Sequence, residues 1–469
     1  MFTAARCAFK QNRTFERAKK LAHGIITCFS RHTLTGIITS TGSQFVDWSA
    51  NYRLFSQSRI NIKFLFTVIR RNGLKLMSNQ EYVVAHMDDT LIHKVGKKIP
   101  GTSWRRDPLG PPFHTNFIWG QRFIQLSLAT AIKKGSCQSR SIPIGFHHCP
   151  GIKKPNKKAT PEAIELFKEQ IKMANLSAQG IGHIQELRRE LDLDGYAQKK
   201  LIMSVDGGYT NKTVLRHLPH ATCLIGRIRK DAKLFLLPDE IKLSTIGRKK
   251  IYGEAMPTPE KIRQSEEYPT QLIEAWAAGK THHFKIKIIR DVMWRVTGQN
   301  RLLSLIIIKP LGYRLTQGSA LLYRDPAYLI CTDQDVTLAD LLQFYLWRWE
   351  IEVNFRDEKT LLGCGEAQVR TAASVESIPA FITAIYSLLH LSMLKKELNN
   401  PVVLLPKPRW HQSTEHQRPS TMEIINLFRL SAWTKCKNNF NDFVKKQRQM
   451  QTAKKEVDPM MSSLFYCRK

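Results

Sequence analysis

Apolar residues along the chain fall into runs whose spacing separates strands from helices. Tyr82 to Met87 is a short apolar run that stops at Asp88-Asp89, and Leu201 to Val205 is another that stops at Asp206-Gly207-Gly208. Both predict strands with carboxylates at their C-terminal ends. Phe117 to Leu128 and Ser141 to His147 predict two further strands, and Ala159 to Leu191 carries the charged, apolar-periodic pattern of helices. Strands and helices in mixed order predict an α/β layer protein whose carboxylates gather at one end of a sheet.

The texture changes on either side of this block. Residues 1–78 are rich in Arg and Lys, with a helix-compatible segment from Thr14 to Ala22 and an apolar run from Phe64 to Val68, and predict a small basic helical domain. Residues 225–335 break into short strand-like runs punctuated by Gly and Pro: Leu234 to Leu237, Phe284 to Ile289, Leu302 to Ile308 and Ala320 to Tyr323. They predict a β-rich insertion that divides an α/β core into residues 79–224 and 336–398. The longest apolar stretch, Pro379 to Leu394, is shorter than the ~20 residues of a membrane span and contains His390. It reads as a buried core helix. Residues 399–469, polar and basic with Pro401, Pro406 and Pro408, read as an appendage with one or two helices.

One helix carries candidate chemistry. Thr337-Leu338-Ala339-Asp340 resembles a capping box with Asp in place of Glu, and neither Gly nor Pro follows until Gly363, so a single long helix is expected. At about 100° per residue, Phe344, Trp347, Ile351, Phe355 and Leu362 form a core-facing stripe, with Glu350, Asn354 and Asp357 on a solvated side. With Tyr345 at zero, Arg348 lies near about −60°, Glu352 near about −20° and Lys359 near about −40°, on one arc beside the core. A glutamate flanked by cations on its own helix suits a metal-binding carboxylate held against phosphate. An amphipathic helix with ordinary ion pairs would give the same pattern. Trp347 reads as core packing rather than a base-stacking surface; Trp294, in the β-rich insertion, is the better stacking candidate, yet one Trp in a strand is usually packing.

Charge then narrows the partners. Lys and Arg number 72 against 39 acidic residues, a net +33 spread along the chain. Such an excess points to a polyanion tracked over an extended surface, and to nucleic acid before membrane. Nine cysteines are scattered without a CxxC pair, which excludes a zinc ribbon and a disulfide framework and fits a reducing cytosol. His147-His148-Cys149 could ligate a soft metal but lacks a second ligand pair at finger spacing, and a strand end before Pro150 accounts for it. The N-terminus has arginines but no secretory-type apolar region. A cytoplasmic, nucleoid-associated protein without a membrane partner is expected.

Tyr345-x2-Arg348-x3-Glu352-x6-Lys359 resembles, at every spacing, the signature of insertion-sequence-four transposases, a group with three catalytic carboxylates. Asp88-Asp89-Thr90 is similar to the first aspartate motif of that family, and Val205-Asp206-Gly-Gly-Tyr-Thr-Asn to its second, in the order of the family. The resemblance covers about residues 80–395. It implies a ribonuclease H-like catalytic core with a β-rich domain inserted between the second aspartate and the glutamate, and a DNA-binding N-terminal part. It also implies Asp89, Asp206 and Glu352 as catalytic metal ligands, with Asp89 bridging two Mg²⁺ ions that Mn²⁺ can replace. Two such ions about 3.5–4 Å apart would serve hydrolysis and strand transfer in one site.

Tyr345, Arg348 and Lys359 would contact double-stranded DNA at the element ends and the target, and a homodimer would pair two ends. A one-residue change of strand phase would make Asp88 the ligand instead of Asp89. Asp88-Asp89-Thr90 and Asp206-Gly207-Gly208 are also sequences that turns and helix caps use. A related nuclease that does not transpose, or an inactive DNA-binding regulator, would share the basic surface.

Overall fold

The computed structural model of the 469-residue chain describes residues 2–77, 81–107, 110–111, 113–131, 138–156, 158–238, 250–298, 301–314, 318–399, 418–433 and 463. Four helices open the chain, α1 (Asn12–Thr27), α2 (Leu34–Ser40), α3 (Ser49–Ser56) and α4 (Ile62–Leu76). The side chains of Thr33 and Asn61 accept from the amides of Gly36 and Phe64 and so cap α2 and α4. Next come β1 (Tyr82–His93), β2 (Ser103–Arg106), β3 (Phe117–Ala131) and β4 (Ser139–Cys149), then α5 (Pro161–Met173) and α6 (Leu176–Leu191). They lead to β5 (Lys200–Val205), α7 (Lys212–Leu215) and β6 (Thr222–Arg227). The following stretch holds α8 (Pro259–Gln264), β7 (Gln271–Ala277), β8 (Lys280–Val292), β9 (Leu303–Ile308), β10 (Gly312–Tyr313), β11 (Leu322–Tyr323) and β12 (Ala327–Cys331). The described chain ends in α9 (Leu338–Trp347), α10 (Trp349–Thr360), α11 (Ala372–Asn399) and α12 (Thr421–Trp433).

Ten strands join one mixed sheet in the order β2-β3-β1-β5-β6-β12-β9-β8-β7, with β4 also beside β3. The pairs β1–β5 and β5–β6 are parallel, and the other pairs are antiparallel. The α/β layering expected from the sequence is present. Strands expected as an insertion do not make a sheet apart: β12 lies between β6 and β9, so β7–β9 lengthen the main sheet. Among the described residues only β10 and β11 pair separately. Within Leu234 to Leu237 the ladder is limited to single bridges from Phe235 to Ala255 and Met293. The stretch with Pro401, Pro406 and Pro408 lies outside the described residues.

Three expectations change. The strand predicted to stop at Asp88-Asp89 continues to His93, because β3 pairs with it residue by residue from Leu128 opposite Ala85 to Gly120 opposite His93. Both aspartates therefore lie inside a strand, and adjacent strand residues face opposite sides of the sheet. The single long helix is instead α9 and α10, joined at Arg348. There the amide of Arg348 donates to the Tyr345 carbonyl and the amide of Ile351 to the Arg348 carbonyl. Both bonds reach three residues back, a tighter turn than the α-helical spacing.

The third change has its own cause: the side of α10 away from its core stripe is itself covered by other parts of the chain. Glu350, Asn354 and Asp357, expected in solvent, are buried against β4, α11 and the segment leading into α12. Asn354 Nδ2 donates to the Ser141 carbonyl at 3.0 Å and its Oδ1 accepts from Tyr386 at 3.0 Å, while Asp357 accepts from Thr421 at 2.6 Å. Arg418 pairs with Glu350 at 2.7 Å. Each of the three side chains has a partner from elsewhere in the chain, which is the condition under which such burial is tolerated. The core stripe holds: Phe344, Trp347, Ile351 and Leu362 are buried and Phe355 partly so, whereas Trp349 is exposed. Helix α11 is long and apolar enough to cross a membrane, yet 89% of its most apolar window is buried inside the fold.

Beside these residues Glu358 is enclosed, with the Thr383 hydroxyl donating to Oε2 at 3.2 Å and the Gln125 amide 3.2 Å from both carboxyl oxygens. Burial drives its carboxyl well above the usual range. The folded chain then holds this proton to a higher pH than the unfolded chain does, so its contribution to stability falls as pH rises above the ordinary glutamate value. Glu358→Gln should flatten this slope by up to about 1.4 kcal/mol per pH unit inside the window. Melting curves from about pH 5 to about pH 8 read it, and parallel curves for both proteins would refute it.

Candidate active site

The phase of β1 sorts the acidic residues. Met87 pairs with Val205 at the end of the parallel register of β1 and β5, so the next residues, Asp88 within β1 and Asp206 just past the end of β5, follow side by side. Asp206 is extended, at φ −78° and ψ 170°, and its carbonyl accepts the Tyr209 amide at 3.0 Å, which turns the chain away from the strand. Asp88 and Thr90 face α9 and α10. Asp89 shares the other face with Met87, where the buried ring of Tyr209 lies over Gly180. A Cβ at Gly180 would come within 2.8 Å of that ring and 3.0 Å of the Met87 methyl, so only glycine leaves the ring its place.

Arg348 gathers the first face. Its Nη1 donates to Asp88 Oδ2 at 3.1 Å and its Nη2 to Glu352 Oε1 at 3.1 Å, while the guanidinium stands 6.0 Å from the centre of the Tyr345 ring. Asp88 also accepts the Asp89 amide at 2.8 Å. Burial pushes the Asp88 carboxyl up to about 7, against the restraint of Arg348 and the Asp89 amide, and the neighbouring Asp89 and Asp206 charges add to the rise. Burial opposes the charge on Arg348, but Tyr345, Asp88, Glu352 and Asp206 outweigh it and raise its pKa. Lys359, one helical stretch further along, donates to Thr90 Oγ1 at 2.7 Å and ties α10 to β1. Burial lowers its pKa.

On the opposite face Tyr209 donates to Asp89 Oδ1 at 3.1 Å and Arg122 Nε stands 3.4 Å from Oδ2. Burial raises the Asp89 carboxyl, and Arg122 and Tyr209 hold it down. The sequence-derived set is thus divided. Glu352, Arg348, Tyr345 and Lys359 come together on one side with Asp88, Asp206 lies just past the end of β5 beside Asp88, and Asp89 joins Tyr209 and Arg122. Sequence reasoning passed over Tyr209 and Arg122. It also passed over His86, which is wholly buried on the Asp88 face with both ring nitrogens lacking a hydrogen-bond partner among the described residues. Burial holds its ring neutral, with a pKa lowered to about 3, and Arg348 adds to the effect. Strand alternation carried a signal for the Asp88–Asp89 division; the tyrosine of Asp206-Gly-Gly-Tyr209 carried one for Tyr209.

Asp88, Asp206 and Glu352 offer only hard oxygen donors, the type that Mg²⁺ and Mn²⁺ prefer. The donor chemistry fits a divalent cation. Asp88 and Glu352 converge on the Arg348 guanidinium, and among the described residues no three His, Cys, Asp or Glu side chains form a ready metal cage. His147 and His148 lie in β4, where His147 stacks on His183 with ring centres 3.8 Å apart and His148 on Phe123 at 4.9 Å.

No curated protein matches the chain. The family model described as DDE superfamily endonuclease matches residues 6–291, more than half of the sequence. That span takes in Asp88, Asp89 and Asp206 and stops before Glu352. With acids in β1 and just past the end of the adjoining β5, and a third carboxylate joined to the first through one arginine, the chain belongs to the DDE superfamily endonucleases.

Proposed function

We propose that this endonuclease is a transposase of the insertion-sequence-four type. It binds the ends of a mobile DNA element, cleaves them by metal-dependent hydrolysis and transfers the 3′ hydroxyl ends into target DNA, as a homodimer that pairs two ends. The reading is carried by one observation: the residues of the Tyr345, Arg348, Glu352, Lys359 signature meet β1 as a unit, through the Arg348–Asp88 and Lys359–Thr90 contacts. We assign the strands β4-β3-β1-β5-β6 to a ribonuclease H-like core and β7–β9 to the family's β-rich insertion.

In this reading Asp88, Asp206 and Glu352 hold Mg²⁺, with Asp88 taking the place that sequence resemblance gave to Asp89. Bound divalent ions would lower the pKa of the attacking water and stabilise the charge that develops on the phosphate oxygens. Arg348 keeps Asp88 and Glu352 within reach of each other across the strand–helix gap, and Tyr345 limits where its guanidinium can move. Arg348, against Asp88 and Glu352, and Lys359, on Thr90 two residues along the strand from Asp88, bind phosphate oxygens beside the cut, which fixes the position of the strand without reading its sequence.

Glu352→Gln tests this. In the full chain with Mg²⁺ and DNA carrying the sequences that flank its gene, the variant should lose cleavage by about 10³-fold or more, a loss of roughly 4 kcal/mol of transition-state stabilisation. Its DNA affinity, read by fluorescence anisotropy, should stay within about twofold, since the change keeps the side-chain shape. Wild-type cleavage rates in the variant would sink the assignment. Cleavage by the wild type without joined products would reduce it to a nuclease.

A further inference from the structure

A cleft of about 1190 Å³ opens between the end of β1 with the loop after it, residues 93–99, and the segment 359–370 that includes the end of α10. Ile92, Ile99 and Val369 supply an apolar floor. Gly365, at φ +107°, lets the two walls meet, because a Cβ there would lie 2.4 Å from Ile92 Cγ2. Lys94 pins the walls together by donating to the carbonyls of Gly365 at 2.5 Å and Ala367 at 3.4 Å.

The rim is cationic. Arg31 from the N-terminal helical segment, Lys97, Lys98 and Arg370 are exposed around it, and Lys359 stands at its inner end. Glu366 is the one acid among the lining residues, and its carboxylate accepts the His32 amide at 2.6 Å. None of the four exposed cations pairs with a carboxylate among the described residues. An apolar floor under unpaired surface cations matches the sugar face and the phosphate edge of a nucleic-acid strand.

We infer that this cleft carries the phosphodiester backbone of the DNA strand cut at the Glu352 site. The inference rests on the cutting site proposed above and extends it outward. Seven residues separate Glu352 from Lys359 on α10, which at 1.5 Å each is about 10 Å. That distance is about three nucleotide steps at ~3.4 Å each. Lys359 is then the link between phosphates at the carboxylates and phosphates held by Lys97, Lys98 and Arg370, and Arg31 brings the N-terminal segment onto the same strand.

The test uses the full chain without added metal, so that binding is read apart from cleavage. Affinity for a fluorescein-labelled DNA duplex is followed by anisotropy as KCl rises. The variant Lys97→Ala/Lys98→Ala/Arg370→Ala removes three exposed cations whose side chains make no hydrogen bond among the described residues. Each lost phosphate contact should lower the slope of log affinity against log salt by about 0.9, a fall of roughly 2.7 for three. A control, Lys168→Ala/Lys172→Ala/Arg189→Ala, removes the same charge from α5 and α6 and should keep the wild-type slope. Equal slopes for the two variants would overturn the cleft and leave the cutting site standing. A reduced slope in a protein that cuts no DNA with Mg²⁺ would instead refute the cutting site and leave the cleft.

Discussion

Asp88→Asn should abolish metal-dependent DNA cleavage, by about 10³-fold or more, while Asp89→Asn should slow it by only about tenfold. Asp88 and Asp206 follow the register pair Met87 and Val205, and Asp88 shares Arg348 with Glu352. Neutralising it removes one of three oxygen donors and leaves a buried guanidinium with a single carboxylate partner. Asp89 points to the other side, toward Tyr209 and Arg122. Its loss frees those two groups and disturbs the carboxylates only through the strand they share. Single-turnover cleavage in Mg²⁺ and in Mn²⁺, with duplex affinity measured beside it, separates the two outcomes. An inactive Asp89→Asn with an active Asp88→Asn would move the ligand to the opposite face and dissolve the role given to Arg348.

This division explains what the sequence could and could not supply. Apolar runs located β1, β3, β4 and β5, since a strand covered on both faces of a sheet needs little else. Which of two adjacent aspartates faces the glutamate helix depends on which side of the sheet that helix packs, and this is settled by contacts such as Lys359 with Thr90. The break at Arg348 carries no Gly or Pro to announce it. Glu350, Asn354 and Asp357 looked like a solvated face because their partners, Arg418, Ser141, Tyr386 and Thr421, are remote in the chain. A periodicity count has no access to them.

The same limit applies to the strands after β6. Their short runs and turn residues marked them as β structure, yet nothing local indicated that β12 would insert between β6 and β9 and carry them into the main sheet. The consequence is mechanical. Helix α9 follows directly on β12, so the sheet that bears Asp88 and Asp206 also fixes the start of the helix that bears Tyr345, and Gln343 of that helix bonds the backbone of Trp276 on β7 through both amide atoms. The signature residues are thereby tied to both halves of the sheet.

Arg70→Met should lower the melting temperature by several degrees, whereas Lys63→Ala, which also breaks an ion pair between α4 and α6, should barely move it. The Arg70 side chain is 4% exposed and bonds Glu190 and, at 2.8 Å, Asp194, which Arg71 also reaches at 2.8 Å. Removing one partner of a buried pair leaves carboxylates without their compensating charge, a cost of about 3–5 kcal/mol. Lys63 pairs with Glu186 at the surface, where such a bond contributes about 0–1 kcal/mol. If the melts of the two variants coincide, α4 is not held by Arg70, and its apolar contacts carry that junction. A large loss in Arg70→Met that Arg70→Met/Glu190→Leu partly restores would instead trace the cost to the stranded carboxylate, because replacing both partners with apolar groups of similar volume removes the buried charge. Arg31, on the loop between α1 and α2, would then approach the cleft on a segment fixed to the catalytic sheet rather than on a free arm.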